Sequence, residues 1–184
     1  MIQSVLLKST NGYIDGKWCA ADSDRTMPVI NPATGESIAI VPVMGRVETN
    51  RAIDAAARTL ATPASSEQRS QWLGRLADLI TQHRDELGRI ITHEHGKPLA
   101  EAQAEADYAA SFFRYYAGCV DHLKPKQLAD RPRNQTWTVY YRPAGVAALI
   151  TPWNFPLAML AKKFSAALAA DCCCVIKQIG RAHV

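Results

Sequence analysis

Apolar residues alternate with polar ones near the start of the chain and recur at helical spacing further along it. Two antiparallel strand pairs are predicted, one around Asp15 and Gly16 and one around the turn 31–35, because turn-forming residues separate β-forming flanks. Helical spacing follows over 51–60 and again after Ser65, which forms a predicted capping box with Gln68. This second helix is predicted to bury one stripe of side chains: Trp72, Leu76, Leu79, Ile80 and Leu87.

The second half of the chain changes from a helix of small residues to an alternation of strands and a helix. Pro98 suits the first turn of a third helix, whose inner face would carry Leu99, Ala102, Ala106, Ala109, Phe113 and Tyr116. After a polar loop, the pattern predicts strands at 136–141 and 145–150, a helix at 157–170 and a buried strand at 172–177. The last strand, helix and strand form a right-handed βαβ unit, which requires a parallel sheet and predicts an α/β fold.

Composition narrows the possible functions of the 184 residues. Apolar residues make up 48% of the chain and charged residues 21%, which is typical of a globular domain rather than a disordered or membrane-spanning one. The net charge is only +4 and the basic residues are scattered, so neither nucleic acid nor a membrane is an expected partner. Residues 1–11 show no secretion signal. We therefore expect a small-molecule partner.

The five cysteines include no C-x-x-C pair, which favours reduced thiols and a cytoplasmic location. Cys172, Cys173 and Cys174 are consecutive within an apolar run, and we interpret them as packed residues of a buried strand. The alternatives are a nucleophile or a metal site, but consecutive strand residues point to opposite faces and cannot bind one ion together. The run from His93 to His95 has no metal-binding spacing either, so no metal is expected.

The main candidate chemistry lies in the loop at 151–156, between the first strand and the helix of the βαβ unit. Ligand sites of open parallel sheets lie at this carboxyl-end edge, and Pro152 and Pro156 restrict the backbone around Asn154. The Asn154 amide could donate a hydrogen bond to a developing oxyanion; the alternative is a stiff loop whose aromatic rings only pack. Lys177 ends the next strand, where its ammonium could bind ribose hydroxyls or could simply be solvated. The sequence has no G-x-G-x-x-G, Walker-type or G-x-S-x-G motif.

Four segments carry a family resemblance: Asn-Pro-Ala-Thr-Gly at 31–35, Glu-His-Gly-Lys-Pro-Leu at 94–99, Thr-Pro-Trp-Asn-Phe-Pro at 151–156 and Val-Ile-Lys at 175–177. In this order they resemble the amino-terminal part of the NAD(P)-dependent aldehyde dehydrogenase superfamily. The run from Glu94 to Ala102, together with Tyr-Ala-Ala-Ser-Phe-Phe from Tyr108, is most similar to the succinate-semialdehyde dehydrogenase branch. The resemblance implies a Rossmann-like parallel sheet, of which this chain holds an incomplete, N-terminal part.

The same resemblance implies that an aldehyde, with succinate semialdehyde as the expected substrate, is oxidised to the acid with NAD or NADP. In the family a thiolate attacks the aldehyde, an asparagine side chain holds the oxyanion and hydride passes to the nicotinamide. Asn154 matches that asparagine. The implied cofactor contacts are Ile150, Thr151, Pro152, Trp153, Asn154 and Lys177, of which Lys177 would hold the adenosine ribose. A homo-oligomer of the full-length protein, formed through the region 136–142, is also implied.

Three family motifs do not occur in these 184 residues: the Glu-Leu-Gly-Gly base motif, the Gly-Gln-x-Cys nucleophile motif and the Phe-x-Gly-Ser-x-x-x-Gly cofactor loop. None of the five cysteines lies in the nucleophile context, so we expect this chain to be inactive alone. The alternative is a freestanding, non-catalytic module that binds a nucleotide or dimerises. A parallel sheet that stops at its second strand favours the fragment, because such strands need neighbours and covered faces.

We expect three structural segments and a tail. Residues 1–135 would form the N-terminal strands and helices of the cofactor domain, 136–142 the oligomerisation strand and 143–178 the first βαβ unit. The family has a proline after the strand-end lysine, whereas this chain has Gln178. Residues 179–184, Ile-Gly-Arg-Ala-His-Val, match one reading frame of a widely used sequencing-library adapter and are predicted to be non-native.

Overall fold

The computed structural model describes residues 4, 6, 7 and 9–178, and the predicted tail 179–184 lies outside these residues. The described residues combine helices with short strand pairs in the expected α/β arrangement. No helix among them is long and apolar enough to cross a membrane. In chain order the elements are β1 (Gly12–Ile14), β2 (Lys17–Cys19), β3 (Thr26–Ile30), β4 (Ser37–Pro42), α1 (Arg46–Thr59), α2 (Ser66–Gln82), α3 (Arg84–His95), α4 (Leu99–Cys119), β5 (Lys126–Gln127), β6 (Thr138–Val139), β7 (Ala147–Thr151), α5 (Ala158–Ala169) and β8 (Cys174–Gln178).

Both predicted hairpins are confirmed. β1 and β2 pair antiparallel across Asp15 and Gly16, whose φ angles of 52° and 76° are those of a two-residue turn with both residues left-handed. β3 and β4 pair antiparallel across the turn 31–35, in which Gly35 has a φ of 73°. Asn31 supports this turn because its side-chain oxygen accepts a hydrogen bond from the backbone N–H of Ala33 at 2.9 Å.

The first two helices begin at caps of different kinds. α2 begins as predicted, because the Ser65 hydroxyl accepts from the Gln68 N–H at 3.2 Å and the Gln68 side chain accepts from the Ser65 N–H at 2.9 Å. α1 begins at Arg46, before the predicted start at residue 51. The reason is Glu48, whose carboxylate accepts from the backbone N–H of Gly45 at 2.7 Å and closes the first turn there.

The core lies between α2, α4 and α5, and it corrects the predicted stripe on α2. Its buried members are Leu73, Ala77, Ala109, Phe113, Val120, Ala158, Ala161 and Ala169. Trp72 is 48% exposed, because the buried face of α2 follows the four-residue spacing of Arg69, Leu73 and Ala77. α2 also ends before His83, so Leu87 lies on α3. Ala102, Ala106 and Ala109 of α4 are fully buried, which permits close helix packing as predicted, whereas Leu99 is 42% exposed because it lies in the first turn of the helix.

β7, α5 and β8 form the predicted βαβ unit, with β7 and β8 parallel. Ile150 lies opposite Lys177 in the register. β8 begins at Cys174 and not at residue 172, because Cys172 still belongs to the end of α5: its N–H bonds the carbonyl of Ala167 at 2.9 Å. Asp171, with a φ of 59°, turns the chain at this point.

The strand predicted over 136–141 is reduced to Thr138 and Val139, which pair with β5. β5 lies in the stretch that the sequence assigned to a loop, and it is only two residues long. β6 is short because a strand extends only as far as its partner does. The pairing ends at the hydrogen bond from the N–H of Leu128 to the carbonyl of Trp137, which is 2.9 Å long.

Candidate active site

The loop that connects β7 to α5 presents the Asn154 side chain at the carboxyl end of the parallel strands. Asn154 is exposed, and its side-chain amide makes no hydrogen bond with any group in the described part of the chain. Thr151, the last residue of β7, is 1% exposed, and its hydroxyl has no partner among the described residues. The Asn154 amide is therefore available to a ligand, whereas the Thr151 side chain points into the protein.

Residues at the turn between α3 and α4 hold this loop from outside the βαβ unit. The ring of His95 stacks on that of Trp153 with 5.5 Å between centroids and 26° between planes. Lys97 Nζ donates a hydrogen bond to the backbone carbonyl of Asn154 at 3.2 Å. The same ammonium lies 4.1 Å from the centroid of the Phe155 ring, which is a cation–π distance. Three consecutive loop residues are thus each contacted by this turn.

The turn itself is packed against the hairpin of β3 and β4. Gly96 has a φ of 80°, which favours glycine, and a Cβ at this position would lie 2.8 Å from the Pro32 ring. Asn31 adds a contact of 3.5 Å between its amide nitrogen and the His93 ring. The 31–35 segment and the 94–99 segment therefore form one support behind the loop.

The N-terminus of α5 is closed by a carboxylate from another helix. Glu105, in the middle of α4, accepts from the backbone N–H groups of Leu157 at 2.9 Å and Ala158 at 3.1 Å through its Oε1 atom. Its Oε2 atom pairs with Lys97 Nζ at 2.5 Å. A free helix N-terminus after the first strand of a βαβ unit attracts phosphate, but here an anion already occupies that position. The N–H groups of Leu157 and Ala158 are therefore already engaged by Glu105.

Ile150 and Lys177 meet on the opposite face of the sheet from α5. Paired residues of parallel strands point to the same face, and alternation along β7 places Ala148 and Ile150 away from α5. This face borders an open groove of about 1170 Å³ between the sheet, α1 and the hairpin of β1 and β2. Ile150 is 53% exposed, and Lys177 makes no ion pair or hydrogen bond with the residues that the structure describes. An ammonium beside an apolar surface can bind a ligand that carries both hydroxyl groups and an apolar face.

The predicted site residues thus fall into two groups. Pro152, Trp153 and Asn154 share the loop, and Ile150 and Lys177 share the groove face at the same edge of the sheet. Thr151 links the two groups through the backbone only, since its side chain is buried. The cofactor contacts assigned to all of these residues stay predictions.

Lys97 and Glu105 were not among the predicted site residues. Glu105 lies one helical turn from Ala102 and Ala109, on the face of α4 that was expected to be apolar. A charged residue in such a stripe is the signal that could have revealed it, because an unpaired buried carboxylate is costly.

Two of the cysteines that line the groove, Cys173 and Cys174, are poor nucleophiles. Burial raises the pKa of the Cys174 thiol to about 11, and the neighbouring thiols of Cys172 and Cys173 add to the shift. Burial, followed by the charge of Asp171, raises the pKa of Cys173. No group of three His, Cys, Asp or Glu side chains in the described part of the chain could hold a metal ion.

A parallel βαβ unit with a polar loop at the carboxyl edge of its strands places this chain in the class of α/β proteins, which bind ligands at that edge. Residues 18–182 match the model of the aldehyde dehydrogenase family, and the chain belongs to that family.

Three similar proteins show how much of a longer family member this chain represents. The glutarate-semialdehyde dehydrogenase of Pseudomonas putida is 44% identical over 90% of this chain and 35% of its own length. The succinate-semialdehyde dehydrogenase [NADP(+)] of Escherichia coli is 41% identical over 89% of this chain and 34% of its own length. A solved oxidoreductase from Marinobacter aquaeolei, 47% identical, superposes with a TM-score of 0.92 over 97% of this chain and 38% of that structure. The chain therefore spans about a third of the length of its relatives.

Proposed function

We propose that this chain forms part of an enzyme that oxidises succinate semialdehyde, or a closely related semialdehyde, to the acid with NAD or NADP. The observation that carries the proposal is the Asn154 amide, which is exposed and unpartnered while the loop around it is held by His95 and Lys97. Membership of the aldehyde dehydrogenase family supports the reaction type. The semialdehyde rests on the relatives, which are named for glutarate and succinate semialdehydes.

Asn154 would act as the oxyanion donor. As a nucleophile adds to the aldehyde, negative charge develops on the carbonyl oxygen, and a fixed amide N–H stabilises that charge without having to reorganise. The cofactor, when bound, accepts hydride from the aldehyde carbon. Trp153 and Pro152 would form the wall beside the cofactor, and Lys177 would bind its ribose hydroxyls across the exposed surface of Ile150.

The test is Asn154→Ala in the full-length enzyme. We expect kcat to fall by about 10²- to 10³-fold, because one oxyanion donor is lost, while the affinity for the cofactor changes little. Single-turnover hydride transfer, followed by NAD(P)H absorbance, measures the chemical step. Asn50→Ala, at an exposed position of α1, is the matched control and should leave the rate unchanged.

Thermal unfolding of the same samples separates catalysis from folding. An Asn154→Ala enzyme that melts earlier but transfers hydride at the wild-type rate per folded molecule would show that the loop residue is only structural. The proposed role of Asn154 would then be wrong.

We also infer a cytoplasmic homo-oligomer. The five cysteines are free thiols, which suits a reducing compartment.

The short pair of β5 and β6 leaves Trp137, Tyr140 and Tyr141 exposed, and large aromatic side chains are enriched in interfaces. Light scattering of the full-length enzyme should give an oligomer that Tyr140→Arg weakens; a monomeric wild-type enzyme would contradict the inference.

A further inference from the structure

The Asn154 side chain has no partner of its own in the described part of the chain, so its direction depends on its backbone. Pro152 and Pro156 limit the backbone torsions of the loop, but a proline has no backbone N–H that could donate a hydrogen bond to anchor it. The anchoring contacts come from α4 and the turn before it. Lys97 binds the carbonyl of Asn154, and Glu105 binds the N–H groups of Leu157 and Ala158, so the segment between them is fixed at both ends.

Lys97 and Glu105 act as one unit. Their side chains are 9% and 0% exposed, and the pair is joined at 2.5 Å. Each partner also satisfies backbone groups of the loop or of α5, so almost every polar atom of the pair is used. Leu157, the N-cap residue that precedes α5, has no side-chain acceptor and cannot cap the helix itself.

A buried ion pair contributes little net stability, because the desolvation of two charges offsets their attraction. Well-packed apolar residues commonly stabilise a fold as much. What an apolar pair cannot supply is a donor for the Asn154 carbonyl together with an acceptor for two N–H groups of the next helix. The arrangement therefore specifies a geometry more than it adds stability.

We propose that Glu105 and Lys97 are positioning residues that aim the Asn154 amide at the reacting oxygen. This inference rests on the proposed role of Asn154. Catalysis depends steeply on such placement, since a misplacement of about 1 Å can cost roughly 10²-fold in rate. Neither residue touches the substrate in this proposal; both act through the backbone of the loop.

The first variant is Glu105→Gln in the full-length enzyme. We expect kcat to fall roughly 10- to 100-fold, with the KM values for aldehyde and cofactor changing by less than about threefold. Glu101→Gln, an exposed residue one turn earlier on α4, is the matched control and should keep wild-type kinetics. A wild-type kcat in Glu105→Gln would overturn the proposal.

A double-mutant cycle with Asn154→Ala distinguishes positioning from general damage. If Glu105 acts through Asn154, then Glu105→Gln should slow an Asn154→Ala enzyme by less than about twofold. Equal losses in the two backgrounds would mean that Glu105 acts elsewhere, and the inference would be wrong. If Asn154→Ala itself leaves hydride transfer unchanged, the proposed function fails instead, so the two failures are distinguishable.

Glu105→Gln alone could unfold the enzyme, because it leaves the Lys97 ammonium buried without its charged partner. The double variant Lys97→Met, Glu105→Gln leaves no unpaired buried charge and is therefore tested as well. We expect this enzyme to fold, to keep cofactor affinity and to show the same 10- to 100-fold loss in kcat, which is roughly the cost of a misplaced catalytic group. A double variant that turns over at the wild-type rate would also overturn the proposal.

Discussion

Single side chains at the two ends of the parallel strands have their chemistry set by what surrounds them. Asn154 is left exposed and can donate to a ligand, whereas the Thr151 hydroxyl three positions before it is buried. The thiols of Cys173 and Cys174 are held in their protonated form by burial, and only the thiolate form is a nucleophile. The amide at the carboxyl edge is therefore available to a ligand, whereas the thiols at the opposite end of β8 have low reactivity.

The low reactivity of the Cys174 thiol can be tested directly by alkylation. We expect it to react with iodoacetamide at pH 8 about a hundred times more slowly than a cysteine of ordinary pKa, because a pKa of about 11 reduces the thiolate fraction by that factor. Fragmentation of the tryptic peptide that contains all three consecutive cysteines locates the label. The same protein in urea is the control, and equal labelling of Cys174 with and without urea would contradict the expectation.

At the scale of elements, the start of α1 depends on one carboxylate. The pKa of Glu48 is lowered chiefly by the backbone N–H of Asp22, then by its own N–H and that of Gly45. The N–H of Asp22 lies 2.7 Å from one carboxylate oxygen, and the N–H of Gly45 lies 2.7 Å from the other. A carboxyl with a lowered folded pKa stabilises the fold above its ordinary value of 4.5, and the stabilisation is lost as the pH falls below that value toward the folded pKa.

The pH dependence of unfolding tests this cap. We expect Glu48→Gln to lower the melting temperature at pH 7, and to lower it much less at an acidic pH low enough to protonate the wild-type carboxyl in the folded protein, which lies below its ordinary value of 4.5. Glu36→Gln, in the exposed turn before β4, controls for the loss of one negative charge. A Glu48→Gln deficit of the same size at both pH values would show that the ionised carboxylate is not the stabilising form.

The two helix starts explain which caps the sequence could predict. The Ser65 and Gln68 box is contained in four consecutive residues, so its pattern is visible in the sequence. The cap of α1 begins at a glycine with no side-chain signal, and its carboxylate also binds Asp22 in the preceding loop. That second partner is brought close only by tertiary folding, so the sequence pattern alone predicts a start of α1 that is five residues later than the observed one at Arg46.

At the scale of the whole molecule, the candidate site combines segments that are far apart in the chain. The βαβ unit and the position of Asn154 at its edge were predictable, because each depends on neighbours in the sequence. The support for the loop was not, because Glu105 binds an N–H group 52 residues further on. The same limit applies to the packing of Pro32 against Gly96, which links two motifs that the sequence showed separately.

This chain alone should not oxidise aldehydes. The family's nucleophile motif does not occur in it, and the raised pKa values of Cys173 and Cys174 leave little thiolate at neutral pH. NAD(P)H absorbance with succinate semialdehyde, measured for the purified 184-residue chain beside the full-length enzyme, checks this expectation. Reproducible aldehyde-dependent reduction by the short chain would contradict it.

The contacts of Lys97 and Glu105 with the β7–α5 loop also limit how related enzymes can be recombined. A crossover placed between residues 106 and 153 would join α4 of one parent to the loop of the other, and the ammonium, the carboxylate and their backbone partners would come from different proteins. Chimeras that exchange residues 95–158 as one block keep the whole arrangement. In a shuffled library, active members should therefore inherit this block from a single parent.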